Sequence, residues 1–428
     1  MDSAAVKTIN FWADDAPRPA DISASELPAQ TDVAVIGGGY TGLHAALALR
    51  KAGVDVTVLE QHHIGWGASS RNGGMLTPGL KAPLKNIVRW YGLEQARVFW
   101  EWAYRAIDHV RDTIQSEGIQ CDWTYPGFAA LAYKASHVES WRAYLAFLRE
   151  NFGVQGYREV PGDAIHTEIG SRAYHAAFVG DHAGGLHPAK YVFGLGRAAA
   201  RRGAQLVEDA AVTRIERLPR GFRLHTPKGA LAAREVLLAT NGYTTGLVPA
   251  ARNGIFPVGS YIIVTEPLPA DLQAELSPKG RMFYDSKWFL NYFRLTPDGR
   301  MLFGGRNNLS TRLDLHDSAR RLQKRMLEVF PQLRGVPVTH SWSGQLGITF
   351  DLMPHIGRAG GVFYAYGYGG HGVSIASALG KEAGELLAGT RGDSPFLHIR
   401  HPRTLLARLD RLFLPFVAGY YRFLDRVG

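Results

Sequence analysis

The 428-residue sequence predicts an α/β fold, α+β overall, in which a parallel βαβ layer is divided by an inserted antiparallel-sheet domain. Three observations predict it. Residues 32–60 run through a β-branched strand pattern, a glycine turn, a small-residue helix and a second β-branched strand. Residues 362–387 repeat strand, glycine turn and helix near the other end. Between them, residues 255–306 alternate apolar and polar side chains, the period of strands buried on one face only.

Residues 1–30 are polar and proline-rich and predict an extended arm laid on the surface. Strands at 32–36 and 54–60 flank a helix at 42–52. Phe99, Ala103, Ala106, Ile107, Val110 and Ile114 recur at helical spacing and predict a long amphipathic helix over 91–117, with another at 140–152 and a strand at 127–133. A helix at 191–202 precedes strands at 205–208, 211–217 and 222–226, and the run 235–240 stops at the Asn241-Gly242 turn. A helix follows at 318–329, a strand at 362–366, and a helix at 373–387 closed by Gly389. These elements divide into an arm (1–30), a discontinuous cofactor domain (31–80, 186–248 and 340–394), a substrate domain (81–185 and 249–339) and a tail (395–428). Residues 400–427 mix Arg with Leu, Phe and Tyr. Because Pro402, Pro415 and Gly419 interrupt them, they predict a tail packed on the protein's own surface rather than a membrane-surface helix.

The formal charge of +10 suits anionic partners, but no run of five or six Lys/Arg occurs, so nucleic-acid binding is not expected. Cys121 is the single cysteine, which excludes an intramolecular disulfide, a CxxC redox pair and a thiolate zinc site. No metal site is expected. No secretory start and no stretch of 18 apolar residues is present, so a protein without a transmembrane segment, soluble and cytoplasmic, is expected. The sequence carries no signal for oligomeric state.

Gly37-Gly-Gly39-Tyr40-Thr41-Gly42 is a GxGxxG turn between a strand and a helix. Gly37 permits the turn, Gly39 lets the backbone approach a pyrophosphate, and Gly42 lets the helix pack close on the strand. The helix N-terminus then offers its free N–H groups to phosphate. Glu60, 23 residues after Gly37, is placed to accept from ribose hydroxyls, and its charge disfavours a 2′-phosphate. Residues 65–74 (GWGASSRNGG) follow at once, with small residues for close approach to a bulky cofactor and Arg71 and Asn72 as polar heads. That loop points to FAD rather than NAD. A second glycine turn, Gly367-Tyr-Gly369-Gly370-His371-Gly372, aims another helix N-terminus but has no acidic strand after it.

The stretches TDVAVIGGGYTGLHAALALRKAGVDVTVLE, GWGASSRNGGM, GGLHPAKYV, EVLLATNGYT, GRMLFGGR and GYGGHGVSIASALGKEAGELLAG resemble the D-amino-acid oxidase superfamily, in its gamma-glutamylputrescine oxidase-like branch. The resemblance implies a Rossmann-like domain holding FAD non-covalently beneath an antiparallel sheet. It also implies oxidation of a C–N bond, with hydride passing to flavin N5 and dioxygen or another acceptor reoxidising the flavin. Cofactor contacts are implied at Gly37, Gly39, Tyr40, Thr41, Gly42, Glu60, Gln61, Ala68, Ser69, Arg71, Asn72, Gly73, Gly74, Met75, Val212, Thr240, Gly242, Gly369, Gly370, His371, Gly372 and Val373. His371 could donate toward the flavin N1–O2 edge or cap its helix.

This chain departs from its amino-acid-oxidising relatives at the substrate. Where those relatives place cations, it has Gly344-Gln345-Leu346-Gly-Ile-Thr349, Gly369–Gly372 and Ser374. A buried carboxylate without a cation is costly, so the expected substrate is a small-molecule amine lacking an α-carboxylate. An N-alkyl or cyclic imino acid is the alternative, with Arg71 as the clamp or with Arg294 or Arg306 reaching the pocket. Among the aromatics of 255–306, Tyr261, Tyr284, Trp288 and Tyr292, with Gln345 beyond them, are the candidate substrate contacts; Tyr284, Trp288 and Tyr292 share a face if their strand is unbroken. Cys121, His62 and His63 stand away from the ring-binding motifs, which argues against a covalent tether. A non-enzymatic FAD-binding protein is the alternative of another class.

Overall fold

The computed structural model describes residues 6–427; the first five residues of the expected arm and the last of the tail lie outside them. Gln30–Ile36 sits inside an eight-stranded sheet, paired in parallel with Val56–Leu59 on one side and Gly229–Leu238 on the other. Val362–Tyr366 then His355–Ala359 extend one edge, and Gln205–Val207 forms the other. Phe222–Thr226 and Arg214–Arg217 add on antiparallel to Gly229–Leu238. Val33–Ile36 and Val56–Leu59 are buried, as unbroken apolar strands of a covered parallel layer must be.

The two ends of the chain meet as helices. Tyr40–Lys51 is crossed by Gly372–Ala388, and Gly380 and Gly384 make the crossing possible. A Cβ on either would lie 2.4 or 2.5 Å from the carbonyls of Thr41 and Ala45. Both glycine turns therefore open at one end of the sheet.

The second sheet runs Val338–Thr349, Ile255–Pro267, Arg300–Gly305, Asn291–Leu295, Met282–Asp285, Phe128–Ala132, Ala176–Gly180 and Tyr157–Pro161. Helix Leu315–Val329 covers one face, where Ile263, Phe283, Phe293, Phe303, Leu322 and Met326 form a core. The other face carries Ser260, Ile262, Tyr284 and Tyr292 toward the glycine turns.

Three expectations need correction. Residues 340–349, placed by sequence in the cofactor domain, belong to this second sheet, because Val338–Thr349 pairs along its length with Ile255–Pro267. The arm is not merely laid on the surface: residues 11–15 form a short helix whose Phe11 and Trp12 are buried against Trp342 and His187. The tail is not broken at Pro415 or Gly419. Both face outward on a continuous helix, Asp410–Val427, and the inward stripe holds it through packing that overrides residue propensity.

Candidate active site

Between the two sheets lies a cavity of about 870 Å³ reached by both glycine turns. Gly37 adopts φ +113°, and its N–H donates to Leu59 O at 2.9 Å, which locks the turn to the second strand. Gly42 brings helix and strand together, since a Cβ there would sit 2.0 Å from Gly37 O. Gly39 is bare for a similar reason: its Cβ would meet Ser69 Oγ at 2.7 Å, and that same oxygen accepts from Tyr40 N at 2.9 Å. Glu60 is buried at the strand end and accepts from Gly38 N at 2.8 Å and His62 N at 3.1 Å, which fixes its carboxylate at the cavity wall.

The loop after Gly67 is held by its carbonyls. Ser70 O accepts from Asn10 Nδ2, Arg71 O from Trp342 Nε1, Asn72 O from Trp12 Nε1, Gly73 O from Arg294 Nε and Gly74 O from Leu186 N, all at 2.9 Å. Five consecutive acceptors are thus satisfied from four separate segments, so the loop arrives preorganised. Asn72 does not offer a free polar head. Its side chain is occupied inside the loop, by Gly74 N, Ala68 O and Ser69 O. Arg71 lies along the cavity wall, with Nε donating to Trp66 O at 2.8 Å and its guanidinium 5.1 Å above the Trp66 ring.

Gly37, Gly39, Tyr40, Thr41, Glu60, Gln61, Ala68, Ser69, Arg71, Asn72, Gly73, Met75, Val212, Thr240, Gly369, Gly370, His371, Gly372 and Val373 all line the cavity. Gly42, Gly74 and Gly242 stand behind it as close-packing positions; a Cβ on Gly74 would meet Leu186 O at 2.1 Å, and one on Gly242 the Leu346 carbonyl carbon at 2.9 Å.

Tyr284, Tyr292 and Gln345 line the cavity, but Trp288 and Tyr261 do not. Tyr284 and Tyr292 face each other across neighbouring strands. Trp288 falls in the turn between those strands, 53 % exposed and stacked on Tyr421, so the alternation that would align it is broken there. Tyr261 points to the helix-covered face and donates to Ser310 O at 2.6 Å.

Sequence reasoning missed Lys81, Tyr243 and Trp66, which also line the cavity, and named Arg306 only as an alternative. Lys81 stands against the second glycine turn, where a Cβ on Gly369 would meet Lys81 Cβ at 2.5 Å. Burial, then the nearby Arg306, bring the Lys81 ammonium down to about 7. Burial, then Lys81 and Arg306, hold the His371 imidazole down at about 4, so it is neutral at pH 7. His371 occupies the N-cap of Gly372–Ala388 without a side-chain capping bond, and its Nδ1 is buried without a partner. Arg294 is buried away from the cavity on Gly73 O and Leu186 O.

A bare glycine turn at a helix N-terminus and an acid at the next strand end fit the pyrophosphate and ribose of an FAD, and the unpartnered ring nitrogen of His371 also faces the cavity. Over residues 32–386 the sequence matches the FAD dependent oxidoreductase family. The chain belongs to this family. Its relatives include the gamma-glutamylputrescine oxidoreductase of Escherichia coli, 34% identical over 98% of this chain and 99% of that one. A probable oxidoreductase, OrdL, of Haemophilus influenzae is 32% identical over 92% of each chain. Among solved structures, glycine oxidase from Geobacillus kaustophilus superposes with a TM-score of 0.75 at 21% identity, over 88% of this chain and all of that one. L-Proline dehydrogenase from P. horikoshii gives 0.70 at 21%, over 86% and 96%. The protein is an FAD-dependent oxidoreductase of this family, and the second sheet, antiparallel except where Met282–Asp285 pairs in parallel with Phe128–Ala132, forms the second wall of its cavity.

Proposed function

We propose that the enzyme oxidises the C–N bond of an amine that carries no α-carboxylate, an aliphatic mono- or diamine or an acylated polyamine. One observation carries this reading: the cavity wall includes the aromatic residues Trp100, Trp141, Tyr144, Tyr157 and Tyr284, with Trp141 in contact with both Tyr144 and Tyr284. Such an aromatic wall suits a methylene chain and a cationic amine. The positions of cationic anchors in amino-acid-oxidising relatives hold Leu346, Gly370 and Ser374 here, and Ser374 Oγ is turned back onto His371 O at 3.4 Å. The name of the Escherichia coli relative agrees with an acylated diamine.

The two glycine turns, Glu60 and the loop 67–74 would hold FAD, which would supply the two-electron acceptor of the reaction. A covalent tether is not expected at Cys121, His62 or His63, all of which lie off the cavity. The chain's own part is to orient the amine and remove its proton. Burial among cations lowers the pKa of a bound ammonium, and Lys81 Nζ, partly neutral near pH 7, takes the proton. Arg306 makes no ion pair with an acid among the described residues and lines the same cavity, a place for an acyl carbonyl or a carboxylate remote from the amine.

That free arginine also favours a second reading, a cyclic or N-alkyl imino acid anchored by Arg306. Matched substrates decide between the two: piperidine against pipecolate, and putrescine against its N-acyl derivative, assayed for hydrogen peroxide and for a dye acceptor. A preference of about tenfold or more for the α-acid, the worth of one charged hydrogen bond, overturns the amine reading.

A further inference from the structure

We propose that the C-terminal helix docks the protein, lying in plane, on an anionic phospholipid surface. The proposal is independent of the substrate. Helix Asp410–Val427 is apolar on two opposite sides. Its inner stripe, Leu414 and Ala418 with Phe413, Val417 and Tyr421, packs on Phe256, Phe289, Leu309 and Ile348. Its outer stripe is Leu412, Phe416, Tyr420 and Phe423, exposed by 65, 80, 59 and 58 %. Spacings of four, four and three residues keep these four on one side of a helix. Leu405, Leu406 and Leu409 of the preceding turn are exposed as well. Contiguous apolar surface of this kind is rare on a soluble monomer and marks a contact face.

Charge selects the partner. Arg411 and Arg422 stand on one flank of the stripe at 100° per residue, and Arg408 lies in the turn before it. All three are exposed; Arg411 has no partner among the described residues, while Arg422 donates to Asn307 O at 3.0 Å and Arg408 to Asn253 Oδ1 at 2.8 Å. The acids of the helix are engaged inward: Asp410 with Arg252 at 3.4 Å, and Asp425 accepting from the N–H groups of Trp288 and Phe289 at 2.7 and 3.0 Å. An apolar face whose exposed flanking charges are arginines matches acyl chains beneath anionic headgroups. A second copy of the chain would instead bring two positive rims together. Trp288, half exposed and stacked on Tyr421 at the end of the helix, adds a residue type favoured at membrane–water boundaries. No helix among the described residues is long and apolar enough to span a bilayer, so the helix lies on the surface.

The test uses the full-length, flavin-loaded protein and vesicles of phosphatidylcholine with or without phosphatidylglycerol, separated by sedimentation. The wild type is expected to bind the phosphatidylglycerol vesicles, less so in high salt. Leu412→Ser with Phe416→Ser and Phe423→Ser is expected to lower partitioning at least about tenfold, and Arg411→Glu to weaken it. Because these side chains are exposed, the flavin spectrum and melting temperature of the triple variant should match the wild type; if they do not, Phe416→Ser alone is scored by the same criterion. Wild-type protein that sediments no more with phosphatidylglycerol than without it, or a Ser variant that binds as the wild type does, overturns the proposal. So does a dimer in analytical ultracentrifugation that the triple variant dissolves, which would assign the stripe to a second copy.

Discussion

Gly42→Ala tests how the first glycine turn is built. The added Cβ would lie 2.0 Å from Gly37 O and 3.1 Å from Val35 Cγ1. Backbone oxygen cannot swing aside as a side chain can, so the helix Tyr40–Lys51 must withdraw from the strand by about 1 Å to reach the closest tolerable contact. Its outer face leaves little room for that, because Gly380 and Gly384 of the crossing helix are already in backbone contact with Thr41 and Ala45. Overpacking of this kind costs about 1–3 kcal/mol. On the proposed site the withdrawn N–H groups are the ones that would meet the pyrophosphate, so that cost is expected to fall on FAD affinity, a roughly 5- to 150-fold rise in Kd. Titration of apoprotein with FAD, followed by flavin fluorescence, measures it. Gly156→Ala, where a Cβ meets nothing within 4 Å, is the control. A Gly42→Ala Kd within twofold of wild type would refute the packing argument.

Further outcomes follow from the same cavity. Acid or heat denaturation should release FAD into the supernatant, because Cys121 is buried off the cavity wall; flavin retained on the precipitate would show a tether. Glu60→Ala should weaken FAD binding by roughly 1–3 kcal/mol through a lost charge-assisted hydrogen bond, read in the same titration, and unchanged affinity would remove Glu60 from the ribose. Lys81→Met bears on pH. Burial lowers this ammonium from 10.5 to about 7, so the penalty of burying its charge is full below pH 7 and is relieved as pH rises toward 10.5. The Met apoprotein should therefore melt about 2–4 °C above wild type at pH 6, with the gap closing by pH 10. A gap that stays constant would show that Lys81 does not titrate in that window.

The opening βαβ unit was legible because each of its steps has a local cause: unbroken apolar strands, bare glycines and a terminal acid. Gly369 to Val373 could be placed beside it only through the family resemblance, since no local pattern says that Gly380 and Gly384 let two distant helices cross. Tyr284 and Tyr292 followed from alternation; Trp288 did not, because the strands end at Asp285 and resume at Asn291. Lys81 was invisible for a different reason. It stands in a loop with no periodicity, and only the fold brings it against Gly369. Asn72 looked like a polar head for the cofactor, whereas its Nδ2 donates to Ala68 O, Ser69 O and Tyr40 Oη and its Oδ1 accepts from Gly74 N. The tail packs on the protein's own surface as expected, but Pro415 does not interrupt its helix. On the outward face of a helix already held by Leu414 and Ala418, its missing N–H costs less than the packing returns.

The most direct test of the central claim is anaerobic titration of the flavin-loaded enzyme with matched substrates, followed through the visible flavin absorbance. An N-acylated diamine or a simple aliphatic amine is expected to bleach the flavin, at a rate at least about tenfold above that of the corresponding α-carboxylated compound. A flavin that no amine or imino acid bleaches would contradict the assignment as an amine-oxidising enzyme. Faster bleaching by the α-acid would keep C–N oxidation and contradict the amine substrate.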